Sequence, residues 1–120
     1  MDRNLRSHWY LLLGCFAFIG FVIYGASLGN SFVRWDDGLL IYENPAICGF
    51  SLANLKTIFT TYDPELYIPL TLLSYQFDFL LSGTNPAWYH FHSLILHILN
   101  ATLVVWVLKS LTKNIWVSLL

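Results

Sequence analysis

Charge is what this chain has least of. Only 11% of its 120 residues are Asp, Glu, Lys or Arg, against roughly 25% in an ordinary soluble domain, while 57% are hydrophobic. The formal net charge is -1 and no basic run occurs, so nothing in the chain suits a nucleic-acid partner. Cysteine is nearly absent too. Cys15 lies in a long apolar block and Cys48 in the more polar stretch after it. The two are not placed to bridge, and neither has histidine at metal-ligand spacing. Both read as small apolar fillers. What remains is apolar sequence gathered in long blocks rather than in short alternating elements, and the solvent that suits such blocks is a lipid bilayer.

Two blocks have the length of a membrane crossing. Residues 9–28 contain no charged side chain, and about twenty apolar residues make one helical span. Residues 88–108 form the second. Arg3 and Arg6 precede the first block, and Lys109 and Lys113 follow the second. Basic residues at these ends put both in the cytoplasm. The intervening segment then lies outside, with Asp36, Asp37, Glu43, Asp63, Glu65 and Asp78 against Arg34 and Lys56 alone. Trp9, Trp88, Tyr89 and Trp106 sit where interfacial aromatic rings are expected. The sequence therefore predicts an all-α, multi-pass membrane protein. Its parts are a cytoplasmic N-terminus (1–8), a first transmembrane helix (9–28), an extracytoplasmic loop (29–87), a second transmembrane helix (88–108), a cytoplasmic turn (109–114) and the start of a third span (115–120). A bacterial inner membrane or an endoplasmic-reticulum membrane would fit. A cleaved signal peptide is the rival for the first block, given Gly25 and Ser27 near a possible cleavage point, but the block is long for a signal core and carries Trp9, Phe16, Phe18, Phe21 and Tyr24.

The loop is more than a linker. Residues 29–45 read as irregular, with turn formers Gly29, Asn30, Asp37, Gly38, Asn44 and Pro45. Ser51 can cap a short helix with Leu52, Leu55, Ile58 and Phe59 at helical spacing. Asp63-Pro64 breaks the chain again. Residues 68–81 then place Leu70, Leu73, Phe77 and Leu80 on one helix face and Thr71, Ser74 and Asp78 on another. Too short to span, this helix is expected to lie along the membrane surface. In the second span His90, Ser93, His97 and Asn100 recur at steps of three, four and three and so share a face. Polar groups at bilayer depth need partners. Helix-to-helix hydrogen bonding is one reading of this stripe, and contact with a substrate is the other, chiefly for His90 at the external end. His92 falls off the stripe and reads as interfacial. Asn100-Ala101-Thr102 lies within the span and is a chance match to a glycosylation site.

Asp36 and Asp37 stand about eight residues beyond the first span. Adjacent acids propagate a helix poorly and avoid lipid, so they belong to a surface loop, where a carboxylate can take a proton or meet a cation. A solvated turn with an Asx-type cap before Gly38 is the plain structural alternative.

In chain order, Trp35-Asp36-Asp37, Asn44-Pro45, Tyr67-Ile68-Pro69-Leu70-Thr71-Leu72-Leu73-Ser74-Tyr75, Asp78, Gly83-Thr84-Asn85-Pro86, Tyr89-His90 and Leu94-Ile95-Leu96-His97-Ile98-Leu99-Asn100-Ala101 form a pattern. It resembles the N-terminal part of the polytopic C-type (GT-C) membrane glycosyltransferases, most closely the tetratricopeptide-repeat membrane O-mannosyltransferases and their bacterial relatives. The resemblance covers about residues 30–114. It implies a polyprenyl-phosphate sugar as donor and a protein or glycan hydroxyl as acceptor. It further implies that Asp36 or Asp37 acts as general base on that hydroxyl, or holds a metal such as Mn²⁺ or Mg²⁺ near the donor phosphate. A base must lie within hydrogen-bond reach of the attacking hydroxyl, and two close carboxylates resist joint ionisation, which can raise one pKa. Arg34, Tyr67 and His90 are the candidate substrate-binding residues.

The pattern is departed from in two places. Ile68 stands where relatives often carry arginine, whose fork suits a phosphate. Arg34 is the nearby external cation that could substitute, and Tyr67 and Pro69 suit shaping the start of the surface helix. Relatives also continue through many more helices to a second external motif and tetratricopeptide repeats, and no self-similarity at that period occurs here. The expectation is therefore an N-terminal portion of a glycosyltransferase, inactive as this short chain. The alternative from another class is a small non-enzymatic membrane anchor or assembly subunit with a folded external loop.

Overall fold

The computed structural model describes residues 3–62 and 66–114, with side chains from Trp9 onward. Every regular element among these residues is helical: α1 (Arg3–Tyr24), α2 (Leu52–Thr60), α3 (Pro69–Ser82) and α4 (Pro86–Thr112), with short 3₁₀ or π turns between α1 and α2. The break expected at Asp63-Pro64 and the third span expected from residue 115 lie outside the described residues. So do Asp2 and Glu65.

The chain divides into two compact units. The first joins the N-terminal residues up to Ser27 to those from Phe91 onward, and the second is Leu28–His90.

In the first unit α1 and α4 run antiparallel. Trp9 meets Lys109, Gly20 faces Leu94 and Ile98, and the rings of Phe21 and Phe91 are 6.3 Å apart. Leu94, Ile98 and Val105 are the buried residues of α4 here, at steps of four and seven, which make one stripe on a helix. Gly20 permits the approach. A Cβ at this position would lie 3.1 Å from Cγ1 of Ile98. Most other apolar side chains of both helices point outward. Trp9–Gly29 and Pro86–Thr112 are long and apolar enough to cross a membrane, and only 6% and 17% of their apolar windows are buried. The core helix of a soluble domain would be covered.

The second unit has a core of its own, built from Ile41, Ala46, Ile47, Ile58, Leu72 and Tyr89 with Phe32, Leu40, Ile68, Tyr75 and Phe79 against it. The stretch expected to be irregular contains two tight turns. A π turn spans Gly38–Tyr42, closed by the Glu43 N–H donating to the Gly38 carbonyl at 2.8 Å, and a 3₁₀ turn spans Pro45–Ile47. Asn44 caps the latter, its Oδ1 accepting from the Ala46 N–H at 2.9 Å. Ser51 caps α2 as its position predicts, accepting from the Asn54 N–H at 3.0 Å. Pro69 occupies the first turn of α3, where its missing N–H costs no helical bond. Gly83 ends α3 at φ 61°, a backbone state open to glycine, and its N–H donates to the Phe79 carbonyl at 2.8 Å.

The faces of α3 differ in exposure. Leu70, Phe77 and Leu80 are exposed and form its outer surface, whereas Leu72, Gln76 and Asp78 are buried. Of the second face expected to hold Thr71, Ser74 and Asp78, Thr71 is exposed and Asp78 brings a carboxylate into the interior. The cysteines are corrected. Cys15 and Cys48 are exposed free thiols, not core fillers, and Cys48 Sγ lies 3.5 Å from the Asn44 carbonyl as donor.

Candidate functional site

The acidic pair splits into two different residues. Asp36 is exposed, while Asp37 is half-buried at the N-terminus of the π turn. Asp37 Oδ2 accepts from the Val33 N–H at 2.8 Å, a bond that folds the preceding loop back onto the carboxylate. Oδ1 makes no such bond among the described residues. One oxygen thus positions the group.

Inside the same unit the charge of Asp37 bears on Tyr75 of α3. Burial, then Asp37, then Asp78 push the Tyr75 phenol above its ordinary value, since both burial and nearby negative charge oppose phenolate formation. Tyr75 and Asp78 are three residues apart and therefore share a helix side. The ring of Tyr75 packs 5.9 Å from that of Tyr89, which stands edge-on to Phe32 at 5.3 Å, and Phe32 lies 5.9 Å from Tyr42. Tyr42 in turn crowds Gly38, where a Cβ would lie 3.2 Å from its hydroxyl. Tyr75, Tyr89, Phe32 and Tyr42 thus form a chain of four aromatic rings.

Asp78 is the residue the motif reading underrated. It is only 2% exposed, and its Oδ1 accepts from Trp88 Nε1 at 3.1 Å. The signal was present: a lone acid in an apolar helix, with tyrosine three residues before it and an indole ten residues after. Gln76 had no such signal. Fully buried, it donates through Nε2 to the Gly49 carbonyl at 2.6 Å and the Ala46 carbonyl at 3.4 Å, which pins α3 to the 3₁₀ turn. Its Oε1 is buried without a hydrogen-bond partner.

The three candidate substrate-binding residues fare differently. Arg34 is exposed. Tyr67 is half-exposed, and its hydroxyl donates to the Phe59 carbonyl at 3.1 Å while its ring tilts against Tyr62 at 5.7 Å. That contact ties the end of α2 to the start of α3, the shaping role its sequence position suits. His90 Nε2 is buried and has no hydrogen-bond partner. Of the polar stripe beyond it, His97 is exposed with its ring edge-on to Tyr24 at 5.4 Å, and Ser93 and Asn100 are exposed.

No group of three or more His, Cys, Asp or Glu is assembled among the described residues. A Mg²⁺ or Mn²⁺ ion at Asp36 and Asp37 would rest on one or two carboxylates and on phosphate oxygens supplied by a donor.

No family model, curated protein or solved structure matches this chain. The likeness in motif order rests on its residues alone.

Proposed function

We propose that the chain is the N-terminal, acidic-loop portion of an integral-membrane glycosyltransferase. Its two long apolar helices cross the membrane with both basic ends in the cytoplasm, and the Leu28–His90 unit works on the opposite side. The sugar comes from a polyprenyl-phosphate donor and goes to a hydroxyl of a protein or glycan. In that reaction the acceptor oxygen bonds to the anomeric carbon, the carbon–oxygen bond to phosphate breaks, and polyprenyl phosphate leaves. The hydroxyl proton passes to a carboxylate, and Asp37 is the better candidate of the pair.

The observation that carries this reading is the half-buried Asp37, held through Oδ2 by the Val33 N–H. A general base must be held rather than free to swing, because proton transfer needs a defined approach. Asp36, exposed, has more freedom. The exposed apolar face of α3, with Leu70, Phe77 and Leu80, also supports a unit that lies against lipid, where a polyprenyl donor is delivered.

The test uses the chain itself in lipid nanodiscs with a photoreactive polyprenyl-phosphate sugar. Labelling should fall within the Leu28–His90 unit and be competed by unlabelled donor, but not by free polyprenol. Labelling no stronger than that of an unrelated two-span protein would reject donor binding and favour an anchor or assembly subunit.

A further inference from the structure

Within the first unit, the groove between α1 and α4 is apolar along its walls and basic at one end. Trp9, Tyr10 and Leu13 of α1 face Leu99, Leu103 and Trp106 of α4 around a volume of about 350 Å³. Thr102 also lines it, but its hydroxyl already donates to the Ile98 carbonyl at 2.8 Å and is not available as a donor to a polar ligand. Lys109 stands over the groove wall, its Nζ 4.8 Å from the centre of the Trp9 ring. The same helix ends carry Arg3 and Arg6 before Trp9 and Lys113 after Lys109, with Asp2 the single acid in those segments.

We propose that this groove holds an acyl chain of an anionic phospholipid whose phosphate is bound by Lys109. The walls match hydrocarbon, and the two indoles flank the depth at which a headgroup begins. The Lys109 ammonium itself sits over the face of Trp9, an interfacial indole, which keeps the charge at the headgroup layer. Charge complementarity selects the lipid. An anionic headgroup gains from Lys109 and the neighbouring basic residues, whereas a zwitterionic one brings a cation of its own against them. The inference requires only that α1 and α4 lie in a bilayer, and it does not depend on any chemistry at Asp37.

Tryptophan quenching by acyl-brominated lipids tests this on the full chain in phosphatidylcholine vesicles. Brominated phosphatidylglycerol should quench in a saturable manner, and the saturable component should shrink in Trp106→Phe. Lys109→Gln should weaken the apparent affinity for phosphatidylglycerol about fivefold, the worth of one basic residue at an anionic surface, and Lys109→Arg should keep it. Rising salt should weaken phosphatidylglycerol binding in the wild-type chain, which serves if Lys109→Gln does not insert. Excess inorganic phosphate should not displace the lipid, because the acyl chain supplies part of the affinity. Equal quenching by brominated phosphatidylcholine, quenching that rises linearly without saturation, salt-independent binding, or an inserted Lys109→Gln with unchanged affinity would each overturn the proposal, as would displacement by phosphate.

Discussion

Trp88 donates its indole N–H to Asp78 across 3.1 Å, and this bond closes the end of α3 against the first turn of α4 within the second unit. Both partners come from helices that a hydropathy reading treats as lipid-facing. The carboxylate is nevertheless among the most buried side chains of the protein. Burying a charge is costly unless hydrogen bonds compensate, so the pair is expected to matter to the fold of the unit.

Trp88→Phe keeps the ring and removes the donor. A hydrogen bond to a charged group is worth about 1.5–3 kcal/mol, so the Leu28–His90 unit should lose roughly that much stability. Limited proteolysis of the membrane-reconstituted chain should reveal it as faster cleavage in the segment before α3. Unchanged protection would mean that Asp78 is held by its other contacts.

Gln76 gives a second test, one in which two opposing effects must be weighed. Gln76→Leu removes the donor to the Gly49 and Ala46 carbonyls, but it also removes the unpartnered Oε1. The Gly49 carbonyl retains the Asn54 Nδ2–H at 2.9 Å. The net cost should therefore stay near 1 kcal/mol, the scale of one ordinary hydrogen bond. Gln76→Glu should be far worse, since a buried carboxylate would face two carbonyl oxygens and be forced to hold a proton. Comparative thermal unfolding of the two variants checks the order, and a leucine variant less stable than the glutamate one would contradict it.

These two residues show how far the sequence alone reaches. Helix positions follow from local rules: the Ser51 cap, Pro69 at the start of α3 and Gly83 after its end each act within one turn, so the chain states them directly. The two apolar blocks are equally plain, because a bilayer-length run without charge has few other uses. Which side of α3 turns inward is not a local property. Its most apolar face lies outward and its mixed face inward, the reverse of the rule for a water-soluble core, and only the fold of the loop around Gln76 and Asp78 decides it. The π turn at Gly38–Tyr42 is likewise set by packing, with Tyr42 against a glycine. The acidic pair was legible as a motif. That Asp37 and not Asp36 is half-buried and bonded to the Val33 N–H is something spacing does not encode.

Tyr75 predicts a pH response in the alkaline range. Its phenol is raised above the ordinary value of 10 by burial, then Asp37, then Asp78. The folded unit therefore favours the protonated phenol. That contribution is complete below pH 10 and is lost as pH rises through the raised folded value. Asp37→Asn removes one of the two charges but not the burial, so the Tyr75 transition should move part of the way back toward 10. Ultraviolet titration of tyrosinate, taken as the difference from Tyr75→Phe, measures it. A transition that Asp37→Asn leaves in place would separate Asp37 from the chain of aromatic rings.

Topology is open to direct measurement. Reporter fusions after Leu28 and after Pro86 should give the signal of the extracytoplasmic side, and a fusion after Lys113 that of the cytoplasm, following the basic residues at both helix ends. A cytoplasmic signal from the loop would place Asp37 on the wrong side for an externally delivered donor.

The last prediction concerns the acids themselves, in a protein that carries this segment together with further spans. Asp37→Asn retains an oxygen that can accept the Val33 N–H, so the loop should keep its fold, yet the amide cannot take a proton from an acceptor hydroxyl. Sugar transfer should fall about a hundredfold or more, the usual scale for losing a positioned base, with binding of the polyprenyl-phosphate donor little changed. Asp36→Asn should cost less, because its carboxylate is exposed. If the pair instead holds a metal beside the donor phosphate, raised Mn²⁺ or Mg²⁺ should partly restore transfer in the asparagine variants, since mass action refills a weakened oxygen site. A general base gives no such rescue. Near-normal transfer by both variants would remove the acidic pair from the chemistry and leave Asp37 as a clamp for the loop.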